Sequence, residues 1–169
     1  MGRLAAISIA IAAMACVGAG VQAAPDPAAA VLKLPYRSLT AQTDGVLEEL
    51  VLDLINRERR AAGVRPLAAS TPLRTIARDH GRELFARGVL SHQAKDGRGV
   101  RKRFERAGIP FRIAGENVAY AEDIRTAHRE LMDSSGHRRN ILSPAFRRVG
   151  IGVLNAGEAG VVVVQNFSD

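Results

Sequence analysis

The sequence RVGIGVLNAGEAGVVVVQNF, residues 148–167, decides the fold class. Two valine-rich runs, residues 148–155 and 160–167, flank four residues that form a loop of hairpin length. Branched side chains favour extended strands, and a short connection between two such runs favours antiparallel pairing. The C-terminus is therefore predicted to be a β-hairpin.

Upstream of the hairpin, apolar residues recur at helical spacing in four segments. The first has Thr43 or Asp44 as its cap and Gly63 as its stop. The other three helices are predicted over residues 70–88, 100–107 and 123–134. Helices before and between strands, without regular strand-helix alternation, predict an α+β domain.

Residues 1–23 are predicted to be a secretory signal peptide. Arg3 precedes an uncharged stretch over residues 4–21, and small or modest residues at 21–23 favour cleavage after Ala23. Two alternatives stay open: a transmembrane anchor, for which the stretch is borderline in length and weakly apolar, and lipidation of Cys16, which a preceding Ala-Met disfavours. The protein is expected to be secreted or periplasmic.

The mature chain is expected to contain one domain. The only cysteine of the sequence, Cys16, lies in the leader, so no disulfide is expected in the mature chain. A leader followed by a cysteine-free domain suits a bacterial exported protein. Residues 24–42 are rich in Ala and Pro and are interpreted as a linker or a loosely docked arm. Residues 43–169 then form a domain of a size that supports one core.

The charge balance is basic. Losing Arg3 with the leader lowers the net charge from +7 to +6, which favours anionic partners such as envelope phosphates, acidic glycans or lipid headgroups. The alternative is simple solubility, because arginines in residues 57–65, 98–106 and 125–148 are spaced like solvated helix faces. Nucleic acid is not expected, since the predicted leader would place the protein outside the cytoplasm and the sequence has few aromatic residues. A monomer without a membrane span is expected.

Two histidines and a carboxylate form the candidate site: His92, Glu116 and His137, each in a polar segment with small residues. Imidazole binds metal or moves a proton near neutral pH, and a carboxylate can orient it. The three residues are too far apart in the sequence to lie on one face of a helix. Only the tertiary fold could bring them together. His80 and His128 lie inside predicted helices and are interpreted as structural.

Several short motifs in order resemble the bacterial branch of the CAP superfamily, which includes cysteine-rich secretory proteins and is also called the SCP-like extracellular domain. The resemblance runs from about residue 47 to the C-terminus. It implies a three-layer α-β-α sandwich with a central antiparallel sheet. The motifs are residues 56–59 with Gly63 and 66–67, then 73–77, 91–92, 115–117, 135–142, 149–153 and 165–167.

The resemblance also implies a cleft lined by two histidines and two acids. His92, His137 and Glu116 match three of these positions, and Asn117 and Ser134 are expected to line the cleft. Ser134 stands where the second acid would fall. The neighbouring Asp133 would point about a quarter turn away on a helix, so it is a doubtful substitute.

Three interpretations of this site stay open. His92 and His137 could ligate Zn²⁺ or another divalent metal, with Glu116 as a third ligand. Glu116 could act as a catalytic base in metal-assisted hydrolysis, since the mature chain has no cysteine and no G-x-S-x-G turn. The three could also simply hydrogen-bond the segments together.

The preferred function is an extracellular or envelope binding module for an unidentified lipid, glycan or protein ligand, rather than an enzyme. A metal-dependent, protease-like hydrolase that uses the same cleft is the alternative.

Overall fold

The computed structural model describes residues 9–12, 31–35 and 40–169 of the chain. The helices are α1 (Gly45–Ala61), α2 (Thr71–Arg87), α3 (Val100–Arg106), α4 (Ile124–Asp133) and α5 (Ser135–Leu142). The strands are β1 (Ile9–Ala12), β2 (Leu32–Lys33), β3 (Gln42–Thr43), β4 (Ala68–Ala69), β5 (Val89–Leu90), β6 (Ala114–Ala121), β7 (Arg148–Asn155) and β8 (Val161–Ser168).

The central sheet is organised around the C-terminal hairpin. β7 and β8 pair antiparallel from Arg148 opposite Ser168 to Asn155 opposite Val161, which confirms the predicted hairpin. The full strand order is β1-β6-β8-β7-β3, and β4 adds a short parallel pairing to β7. The hairpin loop contains one turn of 3-10 helix, Gly157–Ala159.

Helices cover both faces of this sheet. Val161 and Val163 of β8 pack with α1, α4 and α5, whereas Val162 and Val164 pack with α2. This division follows from the pleat, because successive side chains of a strand point to opposite faces. The arrangement confirms the predicted α+β class and the three-layer α-β-α order.

The predicted helix ends agree with the structure. The Asp44 carboxylate accepts hydrogen bonds from the backbone N–H groups of Val46 and Leu47, both at 3.1 Å, and so caps α1. Gly88 ends α2 with a positive φ of 64°, a conformation that glycine adopts without strain. Ser70 precedes α2, but its side chain makes no capping hydrogen bond.

Among the elements that were not predicted from sequence, β6 and α5 carry site residues. Gly115, Glu116 and Asn117 lie within β6, which is buried along its whole length. A strand covered on both faces lacks the polar-apolar alternation that reveals a half-exposed strand. His137 lies on α5, whose polar sequence hides its helical character. The site residues are therefore held by regular secondary structure.

One arginine in the segments interpreted as solvated is buried, which corrects that interpretation. Arg59 is only 1% exposed. Its guanidinium donates to the carbonyl of Arg65 at 2.8 Å, and to those of Ile141 at 2.7 Å and Ser143 at 2.9 Å. Arg59 thus ties α1 to the end of α5.

The N-terminal region is described only in part. β1, inside the predicted leader, pairs antiparallel with β6, from Ile9 opposite Tyr120 to Ala12 opposite Asn117. Cys16 and the predicted cleavage site lie outside the described residues, so leader cleavage stays a prediction. In the predicted arm, β2 pairs with β5 and Leu34 is buried. Across the described residues, no helix combines the length and apolar character of a membrane span.

Candidate functional site

Glu116 is the centre of a buried polar network on the α2 face of β6. Its side chain is fully buried and shares this face with Val118 and Tyr120, two residues and four residues along the strand. One carboxylate oxygen, Oε1, accepts a hydrogen bond from His92 Nδ1 at 2.9 Å. The other, Oε2, pairs with the Arg103 guanidinium. The structure therefore brings His92 and Glu116 into direct contact.

Arg103, on α3, is not predicted as a site residue, because it lies in a basic run with the pattern of solvated helix faces. Its side chain is 10% exposed. Besides Glu116, it donates to the backbone carbonyls of His92 at 2.9 Å and Arg98 at 3.1 Å. The planar guanidinium suits such simultaneous contacts. Arg103 thus fixes the His92 segment and compensates the buried carboxylate.

His80, on α2, supports the same segment from the other side. Its Nε2–H donates to the Ser91 carbonyl at 3.0 Å, while its Nδ1 has no hydrogen-bond partner among the described residues. His80 was predicted to be structural, but its contact with the Ser91 carbonyl was not predicted. The sequence feature that indicates a buried His80 is its position between Ala77 and Leu84 on the apolar face of α2.

The electrostatics of the site favour an ionised Glu116. Burial alone would raise the pKa of this carboxyl, but the positive charge of Arg103, together with His80 and His92, outweighs it and lowers the pKa to about 2. Burial lowers the pKa of His80, although Glu116 opposes that shift. At neutral pH the network therefore pairs a carboxylate anion with the Arg103 cation.

The opposite face of β6 carries a chain of amides. Asn117 Nδ2 donates to the His137 carbonyl at 3.2 Å and to Gln165 Oε1 at 3.0 Å. Asn140 Nδ2 donates to Asn117 Oδ1 at 2.9 Å and to the Glu116 carbonyl at 3.2 Å. These bonds join α5 to β6 and β8.

Asn166 joins the Glu116 network, whereas Ser134 and Asp133 lie at the end of α4. Asn166 on β8, with its amide oriented by its partners, donates to Glu116 Oε2 at 3.0 Å and accepts from the Ala77 N–H at 3.3 Å. Ser134 lies at the junction of α4 and α5, where its backbone N–H donates to the Glu130 carbonyl. Asp133 is exposed. It therefore adds no carboxylate to the buried network.

Glu116 does not fit the role of a third metal ligand in this arrangement. Both of its oxygens are engaged, and the Arg103 cation lies against one of them. Within residues 31–35 and 40–169, no group of three His, Cys, Asp or Glu side chains is arranged to hold a metal ion. Zinc binding by His92 and His137 stays a prediction, and the donor set offers it little support.

Asn140→Ala is expected to destabilise the protein by about 2 kcal/mol. The substitution leaves the buried Glu116 carbonyl and Asn117 Oδ1 without their Asn140 donor. Urea unfolding measures the change. The matched control is Arg139→Ala, at an exposed position next to it on α5, which should stay within about 0.5 kcal/mol. Equal stability of the two variants would show that the amide chain is not a structural tie.

Comparison with known proteins identifies relatives over most of the chain. The sequence model of the cysteine-rich secretory protein family, CAP, matches residues 52–167. The uncharacterized protein YkwD of Bacillus subtilis (strain 168) is 31% identical over 121 residues, which cover 71% of this chain and 46% of that protein.

Solved structures share the fold. An extracellular protein containing an SCP domain from Bacillus anthracis superposes with a TM-score of 0.68 at 25% identity, covering 74% of this chain and 41% of that one. An outer surface protein of Borrelia burgdorferi superposes with a TM-score of 0.71 at 14% identity, covering 77% and 98%. The chain spans less than half the length of YkwD and of the Bacillus anthracis protein.

Proposed function

Because this chain belongs to the CAP, or cysteine-rich secretory protein, family, we propose that it is an exported binding module that does not turn over its ligand. The observation that carries this proposal is the engagement of both Glu116 oxygens by His92 and Arg103 in a buried setting. In this view the network holds β6, α3 and the His92 segment together. Ligands are then expected to bind at the surface of the protein formed over β6, α3 and the segment around His92.

Acid-base catalysis by Glu116 is disfavoured by the same contacts. A general acid or base works best when its pKa is near the working pH, whereas the pKa of Glu116 is lowered to about 2. A carboxylate that is so stabilised by Arg103 is a weak base and carries no proton to donate. The metal-dependent hydrolase therefore becomes the alternative that an experiment must exclude.

The proposed ligand is an anionic lipid, glycan or protein of the cell envelope. The net charge of the chain, +7 with the leader and +6 once Arg3 is removed, supports an anionic partner, since a positive field attracts such ligands and speeds their encounter. The extracellular protein from Bacillus anthracis, which contains a related domain, supports an exported location.

We expect Zn²⁺ to leave the melting temperature of the wild-type protein unchanged, and purified protein to contain no stoichiometric metal. A ligand that binds only the folded state raises stability by mass action, so a zinc site would appear as a concentration-dependent shift. His92→Ala combined with His137→Ala is the control. Zinc stabilisation of the wild type but not of this variant, with peptide or ester hydrolysis lost in Glu116→Gln, would establish the hydrolase instead.

A further inference from the structure

The outer edge of β6 is unusual for a sheet edge, because little in its sequence prevents pairing with another strand. Exposed edges are commonly protected by lysine, proline or inward-pointing charge. The stretch of β6 from Asn117 to Tyr120 reads Asn-Val-Ala-Tyr and carries none of these. The side chains of β6 are all buried, and this packing holds the strand in place. Its backbone can therefore pair with another strand along this edge.

β1 shows how a strand fits this edge. Four consecutive residues, Ile9–Ala12, pair antiparallel with β6 and also approach α4 and α5. Their sequence alternates isoleucine with alanine. The edge therefore accepts a short, uncharged extended segment in a slot bordered by two helices.

We propose that the β6 edge is a peptide-binding site that is filled by β1 in the precursor and accepts an extended apolar segment of a partner protein once the leader has been removed. Loss of β1 would leave backbone N–H and C=O groups of β6 without partners, and buried backbone groups without partners are costly. A partner strand restores those hydrogen bonds, and its alternate side chains supply specificity.

The observed register sets the direction of the bound segment. Ala12 lies opposite Asn117, so the C-terminal end of the bound strand is the end nearest Glu116. A longer peptide that continued this register would place its next residue opposite Glu116, in the strand that anchors the buried network. Peptide binding at this edge depends only on strand pairing. Its absence would therefore leave the proposed role of Glu116 unchanged.

Binding of a labelled peptide to the full-length chain tests the proposal. The peptide carries the sequence of Ile9–Ala12 between solubilising lysines, and fluorescence anisotropy measures its affinity. Ala10→Pro combined with Ile11→Pro opens the site: neighbouring N–H groups of a strand point to opposite sides, so one of the two donates towards β6. Ala5→Pro combined with Ala6→Pro, outside β1, is the matched control.

The expected result is that the Ala10→Pro/Ile11→Pro chain binds the peptide at least roughly tenfold more tightly than the wild type and the control chain. The tethered β1 competes with the peptide at a high effective concentration, which the substitutions remove. Bound peptide should also slow amide hydrogen exchange at residues 117–120. A peptide with proline at the two corresponding positions should not bind.

Equal affinity for the three chains, equal binding of the proline peptide, or binding without protection of residues 117–120 would each overturn the proposal. Persistent exchange protection of β7 and β8 shows that the opened chain is folded. If that protection is lost, Ile9→Lys combined with Ile11→Lys provides a second way to displace β1, because charged residues oppose strand pairing at an edge. The same outcomes then apply to that variant.

Discussion

Gly150→Ala is expected to destabilise the protein by about 3 kcal/mol or more. A Cβ atom at Gly150 would lie 2.1 Å from the backbone nitrogen of Arg74 and 2.1 Å from the carbonyl carbon of Leu73. Both atoms belong to the backbone of α2, so no side-chain rotation can relieve the overlap. α2 would have to move away from β7, and a close-packed interior resists such a shift.

Urea unfolding or a thermal melt measures this effect, and Gly45→Ala is the matched control. Gly45 is the first residue of α1, and a methyl group at this position would have the end of the Arg78 side chain, at 4.0 Å, as its nearest neighbour. Alanine also favours helix formation over glycine by up to about 1 kcal/mol. The control should therefore be neutral or slightly stabilising. A Gly150→Ala protein as stable as the control would refute the close helix-to-sheet contact that positions His80.

Glu116→Gln is expected to cost roughly 3 kcal/mol at neutral pH. The substitution keeps the shape of the side chain but leaves the Arg103 guanidinium buried without its compensating anion. Glu122→Gln, at an exposed position just beyond β6, is the matched control and should change stability by less than about 0.5 kcal/mol. Adding Arg103→Met to Glu116→Gln should recover part of the loss, since it removes the uncompensated cation.

The same substitution is expected to reduce the sensitivity of stability to acid. The unfolded Glu116 carboxyl takes up a proton near pH 4.5, whereas the folded carboxyl does so only near pH 2. Between these values the unfolded chain binds the extra proton, so stability falls as pH falls through this window. Glu116→Gln lacks this contribution. Parallel stability curves for the wild type and the variant from pH 5 to pH 2 would contradict the lowered pKa.

The sequence predicted those parts of the fold that have a one-sided pattern. α1 and α4 present apolar residues at helical spacing behind a capping aspartate, Asp44 and Asp123, and both caps are formed. The hairpin is clear from its valine runs and its short loop. β6 lacked a recognisable pattern because its two faces are both buried and both carry polar side chains, Glu116 on one and Asn117 on the other.

The sequence indicated some of the residues that belong to the site, but it did not indicate which of them contact one another. The sequence indicated His92 and Glu116, and the structure places them in hydrogen-bond contact. It did not indicate Arg103, because an arginine whose side chain is only 10% exposed looks the same in sequence as the exposed arginines of the same helix. Pairing across 13 residues between α3 and β6 depends on the tertiary fold, which a single sequence does not show.

The most direct test of the central claim is a carbon-13 NMR titration of the Glu116 side-chain carboxyl in the folded protein. The claim is that Glu116 is a structural anion, held by Arg103 and His92, that stays ionised at neutral and mildly acidic pH. The expected result is a carboxyl signal that stays ionised down to pH 4, with a midpoint near pH 2 if the fold survives there. A midpoint between about pH 5 and pH 7, the range of a tuned catalytic carboxyl, would contradict the account.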